Sequence, residues 1–400
     1  MINKSPNPPL KNLLRRKIVR YPIMLIILAL GLFVLVREAH HLNNNDFTVY
    51  WSVSKINLAG GTISDELAGV LEQGGWNRES PTMMYTPPWA LPIITIFGFF
   101  TRPVGQLIWM LFHIGALLFC ANYTWQLYGG LVKHRWVALI VAFTFGPVVS
   151  AVLFQGQISP LVLTGLVGFL VFIDKPGKAW LAGVFAVLAT VKPQVPYLFF
   201  IALLLWALSY RKWSIIIGFM TFFAILNIIA IIVDPHIYSQ FFLCLKNNAP
   251  TAWLTPAIGT FLRLLFYPTG FILVYLPPLL GAIWFVYYWT KHHDEWNWKH
   301  EMPLLLCVSV ITAPYIWTYD QVVLLIPLLQ AFIWLLVDKR RWLVSSVIIL
   351  YIIMDVLHVQ LHFTWDDSKF FWFAPGIFLW YLVIRAMQKR SQNLPVVLES

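Results

Sequence analysis

Apolar residues come in this chain as long runs, not as alternations. Runs read at about 22–36, 87–100, 105–128, 136–153, 158–173, 179–191, 194–208, 214–233, 268–289, 303–314, 321–337, 342–357 and 371–387, separated by short polar or Pro- and Gly-bearing breaks. Roughly 20 apolar residues in a helix cross a bilayer. Backbone groups in lipid must bond within their own segment, and the lack of alternation argues against a barrel. Several runs are shorter than a straight crossing needs, which is tolerated where a broken helix lines a cavity. The pattern predicts an all-α polytopic membrane protein with about 11–13 transmembrane helices. The long exception is the segment 37–86, too long and too patterned for a connector. Within it Asp65-Glu66-Leu67-Ala68-Gly69-Val70-Leu71-Glu72 predicts a short amphipathic helix on the membrane surface, and Ile258 to Phe266 predicts another on the same side.

Composition agrees: 59% of residues are hydrophobic and 11% charged, against about 25% charged in a soluble domain. The net charge of +11 caps helices and forms no single patch, so nucleic acid is an unattractive partner. Residues 1–20 carry Lys4, Lys11, Arg15, Arg16, Lys17 and Arg20 with no acid, which predicts a cytoplasmic N-terminus. No small-residue cleavage site follows the first run, so that run reads as a retained span in a multi-pass protein of the cell membrane. The domain expectation is a basic cytoplasmic segment 1–20, one membrane domain 21–388 holding the extracytoplasmic loop 37–86, and a cytoplasmic tail 389–400. Arg211-Lys212, the loop Lys291 to Glu301, Lys339-Arg340-Arg341 and Lys389-Arg390 fall on the cytoplasmic side. Counting spans then puts Gln155-Gly156-Gln157, Lys192-Pro193-Gln194, Asp234, Tyr319-Asp320 and Asp366-Asp367 on the other. The loop 37–86 belongs there too, with acids Glu38, Asp46, Asp65, Glu66, Glu72 and Glu79 against Arg37, Lys55 and Arg78. One conflict stands: the turns at Arg102 and at Lys133 to Arg135 both read as cytoplasmic, with one span between them. Either 87–100 does not fully cross or one turn breaks the rule. The 20 Trp often lie near span ends, as interfacial belts do. Cys120, Cys244 and Cys307 are far apart, with no metal or redox spacing.

Candidate chemistry gathers at the breaks. Asp46 follows Asn43-Asn44-Asn45 and precedes Phe47-x-x-Tyr50-Trp51. A carboxylate at a membrane boundary, oriented by amides, suits a general base; the bland reading is a solvated loop acid. Gln155 and Gln157 flank a glycine at a helix break, where buried amides need partners such as sugar hydroxyls; the bland reading is a tight turn. Lys192-Pro193-Gln194 interrupts an apolar stretch. A Lys there is costly and points to function, and Pro193 predicts a new helix start whose donors, at Gln194, suit a phosphate. Snorkelling to the interface is the alternative. Asp320, after Tyr315, Trp317 and Tyr319, reads as a sugar, cation or basic-residue partner, or as a helix N-cap. Tyr85 precedes a Pro-Pro helix start close to the loop. His358 and His362 share a helical face upstream of Asp366 but have no assured third metal ligand. No Gly-rich phosphate loop or Gly-x-Ser-x-Gly occurs, so a nucleotide sugar or ATP is not expected as a direct substrate.

Taken in order, Asp46-Phe47-x-x-Tyr50-Trp51, Tyr85-x-Pro87-Pro88, Gln155-Gly156-Gln157, Lys192-Pro193-Gln194 and Pro314-Tyr315-x-Trp317-x-Tyr319-Asp320 resemble glycosyltransferase family 87, a group of polytopic GT-C enzymes. The resemblance implies a GT-C-type bundle and a polyprenyl-phosphate sugar donor, often mannose, used outside the cytoplasm on a lipid or glycan acceptor. It puts the base on Asp46 and the donor phosphate by Lys192, with Gln194 added as a phosphate candidate by the helix-start reading above. Tyr50, Tyr85, Gln155, Gln157, Tyr319 and Asp320 are the sugar or acceptor candidates. No cofactor is implied; a metal is unnecessary if Lys192 neutralises the phosphate, and a cation shared by Asp46 and Asp320 is the alternative. The loop Leu58 to Ser80 departs from the family pattern and leaves the acceptor open. A lipid or small-molecule transporter is the competing class, although no internal repeat is evident; a non-enzymatic scaffold is the third.

Overall fold

The computed structural model describes residues 29–77, 85–247, 249–362 and 364–392. Among them every regular element is a helix, so the all-α membrane expectation is borne out. Among the described residues six helices are long and apolar enough to cross a membrane: Arg102–Leu127, Trp213–Val233, Thr269–Glu295, Thr318–Val337, Arg341–His362 and Asp367–Arg390. A further apolar pair, Val132–Thr144 and Gly146–Gln155, is bent by 65°. The bend has a local cause. Pro147 opens the second helix and lacks an N–H, and the Gly146 amide donates to Asp355 Oδ1 at 3.2 Å. The shorter helices Ser159–Phe172 and Ala179–Ala189 are interior: Val162, Leu166, Phe169, Ala182 and Ala186 are fully buried. Protein covers nearly all of Ser159–Phe172 and one face of Ala179–Ala189, whose Trp180 stays exposed, so helices too short for a straight crossing are tolerated there. The segment 1–20, the start of the run 22–36 (residues 22–28) and the end of the tail 389–400 lie outside the described residues.

Successive helices reverse direction, so their breaks alternate between two ends of the bundle. One end collects Asp46, Gln157, Lys192, Asp320 and Asp367. The other collects the basic turns. There Lys299 Nζ meets Asp174 at 2.9 Å, the Tyr210 hydroxyl donates to the carbonyl of Asp294 at 2.8 Å, and Arg340 Nη2 donates to the Met387 carbonyl at 2.9 Å.

The conflict between Arg102 and Lys133 to Arg135 is resolved by the segment 87–100, which is not a crossing. It forms the short pieces Pro88–Ala90, Leu91–Ile94 and Thr95–Phe99, with Pro88 and Pro92 at their starts. These fold against the helix Asp46–Ala59. Ser54 Oγ donates to the Ile94 carbonyl at 2.8 Å and Trp51 Nε1 to the Phe100 carbonyl at 3.0 Å. The approach depends on Gly98, where a Cβ would lie 2.8 Å from the Ser54 carbonyl oxygen. Arg102 therefore sits at the acidic end. Its guanidinium donates to the carbonyls of His40 and Leu42 at 2.9 and 2.8 Å, capping the helix over 29–41. Arg102 is buried there with its guanidinium taken up by backbone carbonyls, so its charge does not mark a solvated basic turn.

Both expected amphipathic helices are present at this end. Ile63–Gln73 lays Ile63, Leu67 and Leu71 against the Asp46–Ala59 helix. Ile258–Leu265 stacks Phe261 on Phe371, centroids 4.0 Å apart, and leaves Leu264 and Leu265 exposed.

Candidate active site

Asp46 is the first residue of its helix, and Asn45 fixes it there. Asn45 Oδ1 accepts from the Thr48 amide at 3.1 Å, an N-cap, while its Nδ2 donates to Gln106 Oε1 at 2.9 Å and to the Phe154 carbonyl at 3.0 Å. Phe47, fully buried against Phe97 and Trp109, wedges the next position. The turn that meets it is Gly156, left-handed at φ 64° after the helix Gly146–Gln155. A Cβ on Gly156 would lie 2.6 Å from Phe47 Cβ, and Trp109 Nε1 donates to the Gly156 carbonyl at 2.7 Å. Only glycine fits both the backbone angle and the approach. The turn carries the Gln157 amide onto Asp46, where Nε2 donates to Oδ2.

From Gln157 the contacts continue. Lys192 Nζ donates to Gln157 Oε1 at 2.8 Å and to Asp320 Oδ1 at 2.6 Å. The same Asp320 oxygen accepts from Ser159 Oγ at 2.6 Å, and its Oδ2 accepts from the Trp317 amide at 3.0 Å. The Lys192 ammonium also stands over the Tyr319 ring, 4.4 Å from its centroid. Next to Asp320, Thr318 Oγ1 donates to Asp367 Oδ1 at 3.0 Å. The Asp320 side chain is fully buried and that of Lys192 is 14% exposed. A charge pair so desolvated persists only when its remaining bonding capacity is met, which Ser159, Gln157 and the Trp317 amide do. Asp46 is half-buried. Tyr50, in the same helix, is buried beside Thr86; burial, and then the Asp46 charge, pushes its hydroxyl well above the usual range, so it stays a proton donor.

The structure thus joins Asp46, Gln157, Lys192, Asp320 and Tyr319, with Tyr50 alongside. Other candidates lie elsewhere. Gln155 is exposed, because the left-handed turn after it sends Gln155 and Gln157 in different directions. Gln194 is half-buried in a run of turns, with no bond into the cluster among the described residues. The helix start expected at Pro193 is displaced. The preceding helix ends at Ala189 and the next begins at Tyr197, behind Pro196. The second proline, not the first, has the preset backbone of a helix start, so Gln194 is not at a helix N-terminus. Tyr85 packs edge-on to Trp253, centroids 4.5 Å apart, not on Asp46. His358 is enclosed by Phe370 and Phe373, and among the described residues no group of three His, Cys, Asp or Glu is placed to hold a metal. Sequence reasoning missed Ser159 and Gln106. Ser159 sits two residues after Gln157 at the start of a helix and was within reach of the motif; Gln106 carries no local signal.

The cluster's chemistry is specific. A reachable carboxylate is linked through one amide to a mostly buried ammonium, whose second carboxylate is held from three sides. One group can take a proton while another holds negative charge a few ångströms away.

No curated protein and no solved structure matches the chain. Residues 84–259 match the model of glycosyltransferase family 87, a segment that contains Tyr85, Gln155 to Gln157, Ser159 and Lys192, with Asp46 and Asp320 on either side of it. The match bears out the resemblance read in the sequence and is consistent with a GT-C type glycosyltransferase, built on a multi-pass bundle of membrane helices.

Proposed function

We propose that the protein moves a hexose, with mannose the first candidate, from a polyprenyl-phosphate donor to a lipid or glycan acceptor, inverting the anomeric centre. The reaction runs at the acidic end of the bundle, outside the cytoplasm, with the basic turns and the N-terminus inside, as the positive-inside bias favours. The polyprenyl tail stays between helices and its phosphate comes to Lys192. Two of the three N–H bonds of Lys192 engage Gln157 and Asp320 among the described residues, and the third serves a phosphate oxygen. Gln194 flanks that phosphate.

The acceptor hydroxyl gives its proton to Asp46 as its oxygen attacks the anomeric carbon from the face opposite the phosphate. The bond between that carbon and the phosphate oxygen breaks, and the electron pair leaves with the polyprenyl phosphate. Lys192 stabilises the charge that develops there. Gln157, Tyr50 and Tyr319 orient the transferred sugar, while Tyr85 and Gln155 lie further out toward the acceptor. Asp320 keeps the ammonium in place. General-base assistance contributes about 10²–10⁴-fold.

The observation that carries this reading is one bonded sequence, Asp46 to Gln157 to Lys192 to Asp320, drawn from four distant segments. A transporter would need no such link between a base and an ammonium. The test is mass spectrometry of lipid-linked sugars and envelope glycans from cells with the wild type, without the protein, and with Asp46→Asn. A polyprenyl-phosphate sugar should accumulate in the latter two. Identical lipid-linked sugar profiles in all three would sink the proposal.

A further inference from the structure

Outward from Lys192 the site continues as a row of aromatic rings. Tyr319 lies under the ammonium, and Trp317 stacks on Tyr319 with centroids 6.1 Å apart and planes at 24°. Trp253 stands 6.1 Å from Trp317 and 6.0 Å from Tyr315, and Tyr85 meets Trp253 edge-on at 4.5 Å. These rings come from three separate segments: the chain before Pro88, the loop 249–257 and the break between the helices Trp298–Thr312 and Leu325–Val337. All five are half-buried, neither packed away nor fully in water. Rings placed only for the core are covered, as Trp109, Trp125 and Trp380 are elsewhere in this chain.

The loop bearing Trp253 is held by design of its neighbours. Arg263, buried in the surface helix Ile258–Leu265, donates from Nη1 to the Thr251 carbonyl at 2.6 Å and from Nη2 to the Trp253 carbonyl at 2.9 Å. The Thr255 and Thr260 hydroxyls meet at 3.0 Å and close the same loop. A guanidinium with two carbonyl acceptors on one loop fixes the backbone on both sides of Ala252, and so the direction of the Trp253 ring.

We propose that Trp253, with Tyr85, Tyr315 and Trp317, forms a carbohydrate subsite for the acceptor, separate from the position of the transferred sugar at Asp46 and Lys192. The inference rests on the glycosyltransferase reading above and names the chemical class of acceptor: a hexopyranose unit already present on the growing molecule. Pyranose rings offer an apolar C–H face for an aromatic ring and equatorial hydroxyls for Tyr O–H groups. Burial, then the Asp320 charge, pushes the Tyr315 hydroxyl up to about 12, so it is a donor at any physiological pH. A polyprenyl chain would use the ring faces but leave the Tyr315 hydroxyl without a role; the Tyr85 hydroxyl already bonds to Cys244. Arg263 is a positioning residue, acting through the Trp253 carbonyl.

The test measures sugar binding without turnover. Saturation-transfer NMR is recorded on the full chain in detergent with methyl α-mannopyranoside, methyl β-glucopyranoside and methyl α-galactopyranoside, and separately with undecaprenyl phosphate. At least one glycoside should give signal with the wild type and with Asp46→Asn. Trp253→Ala should weaken it roughly tenfold and Trp253→Phe much less, as loss and retention of one stacking ring imply. Binding of undecaprenyl phosphate should not change in Trp253→Ala. Tyr85→Ala provides a second ring deletion should Trp253→Ala elute as an aggregate. No signal from any of the three glycosides on the wild type overturns the inference, as does equal signal in both ring deletions, or loss of undecaprenyl phosphate binding in their place. A failed subsite leaves lipid-linked sugar still accumulating in Asp46→Asn cells; a failed transferase reading removes that accumulation whatever the glycosides do.

Discussion

Two buried acids in this bundle have opposite surroundings. At the basic end Glu301, 3% exposed, accepts from the Tyr288 hydroxyl and lies 2.9 Å from His300 Nδ1. Both partners lie within 13 residues of it. The rings of Trp206, Trp296 and Trp298 interlock nearby and close that end. At the acidic end Asp320 is as deeply buried, but its partners Ser159 and Lys192 come from 161 and 128 residues away, and the sequence of bonds runs on to the half-buried Asp46. A buried carboxylate with local partners locks two neighbouring helices together. One reached from several distant breaks, and linked to a second acid in reach of water, has the assembly of a reaction site.

The sharpest contrast compares Asp46→Asn with Glu301→Gln. The first should cut sugar transfer by at least ~100-fold with the elution profile and thermal midpoint near wild type. The second should lower the midpoint, while transfer per folded molecule stays near normal. If Glu301→Gln costs transfer as much as Asp46→Asn does, the two ends are not distinct in function.

Lys192 comes next, because its removal acts on both stability and donor use. Taking one partner from a buried pair costs about 3–5 kcal/mol, so Lys192→Ala should lower the thermal midpoint and weaken donor use together. Replacing both, Lys192→Met with Asp320→Asn, should recover much of the stability and none of the transfer. By comparison Lys299→Ala, which breaks an exposed pair with Asp174, should cost at most about 1 kcal/mol. A double variant that regains transfer would remove Lys192 from the donor site.

Gly156→Ala isolates the turn. Alanine would adopt a left-handed angle at roughly 1–2 kcal/mol and would push on Phe47 as well. Because Phe47 follows Asp46, the displacement should appear in kcat more than in KM for either substrate. Gly177, also at positive φ, at 69°, has nothing within 4 Å of an added Cβ and lies in a turn at the basic end; Gly177→Ala should carry the backbone cost alone, with kcat unchanged. Equal kcat in both variants would mean that the contact with Phe47 does not position the base.

Much of this was legible in the sequence, for reasons that differ by residue. Asp46, Lys192 and Asp320 stood out because charge is scarce in apolar sequence, and scarce charge at membrane depth marks partners. Gln157 was legible but not separable from Gln155, since only the hand of the Gly156 turn decides which amide faces inward. The segment 87–100 was as apolar as a span because Leu91, Ile94 and Phe97 are buried; hydropathy does not tell protein from lipid. The start of the helix at Tyr197 was hidden by two prolines three residues apart, each a valid start. Trp253 and Arg263 belong to no motif, and their place beside Tyr85 and Trp317 depends on long-range packing alone.

The smallest expected effect compares two asparagine caps. Asn45 accepts from the Thr48 amide, and Asn297, at the basic end, accepts from the amides of Lys299 and His300. Replacing either by alanine should cost the same ~1 kcal/mol of helix capping. Asn45 has a second duty, since its Nδ2 ties the start of the Asp46 helix to Gln106 and to the Phe154 carbonyl. Asn45→Ala should therefore lower kcat beyond what its stability loss explains, and Asn45→Asp should restore the cap but not the kcat, because a carboxylate accepts at the Thr48 amide and cannot donate to Gln106 or Phe154. Asn297→Ala and Asn297→Asp should leave kcat alone. The measurement is kcat at matched folded fraction for the four variants. If Asn45→Asp turns over as fast as the wild type, the amide bonds to Gln106 and Phe154 do not orient Asp46, and the cap at the acidic end is no more than the structural device its counterpart is.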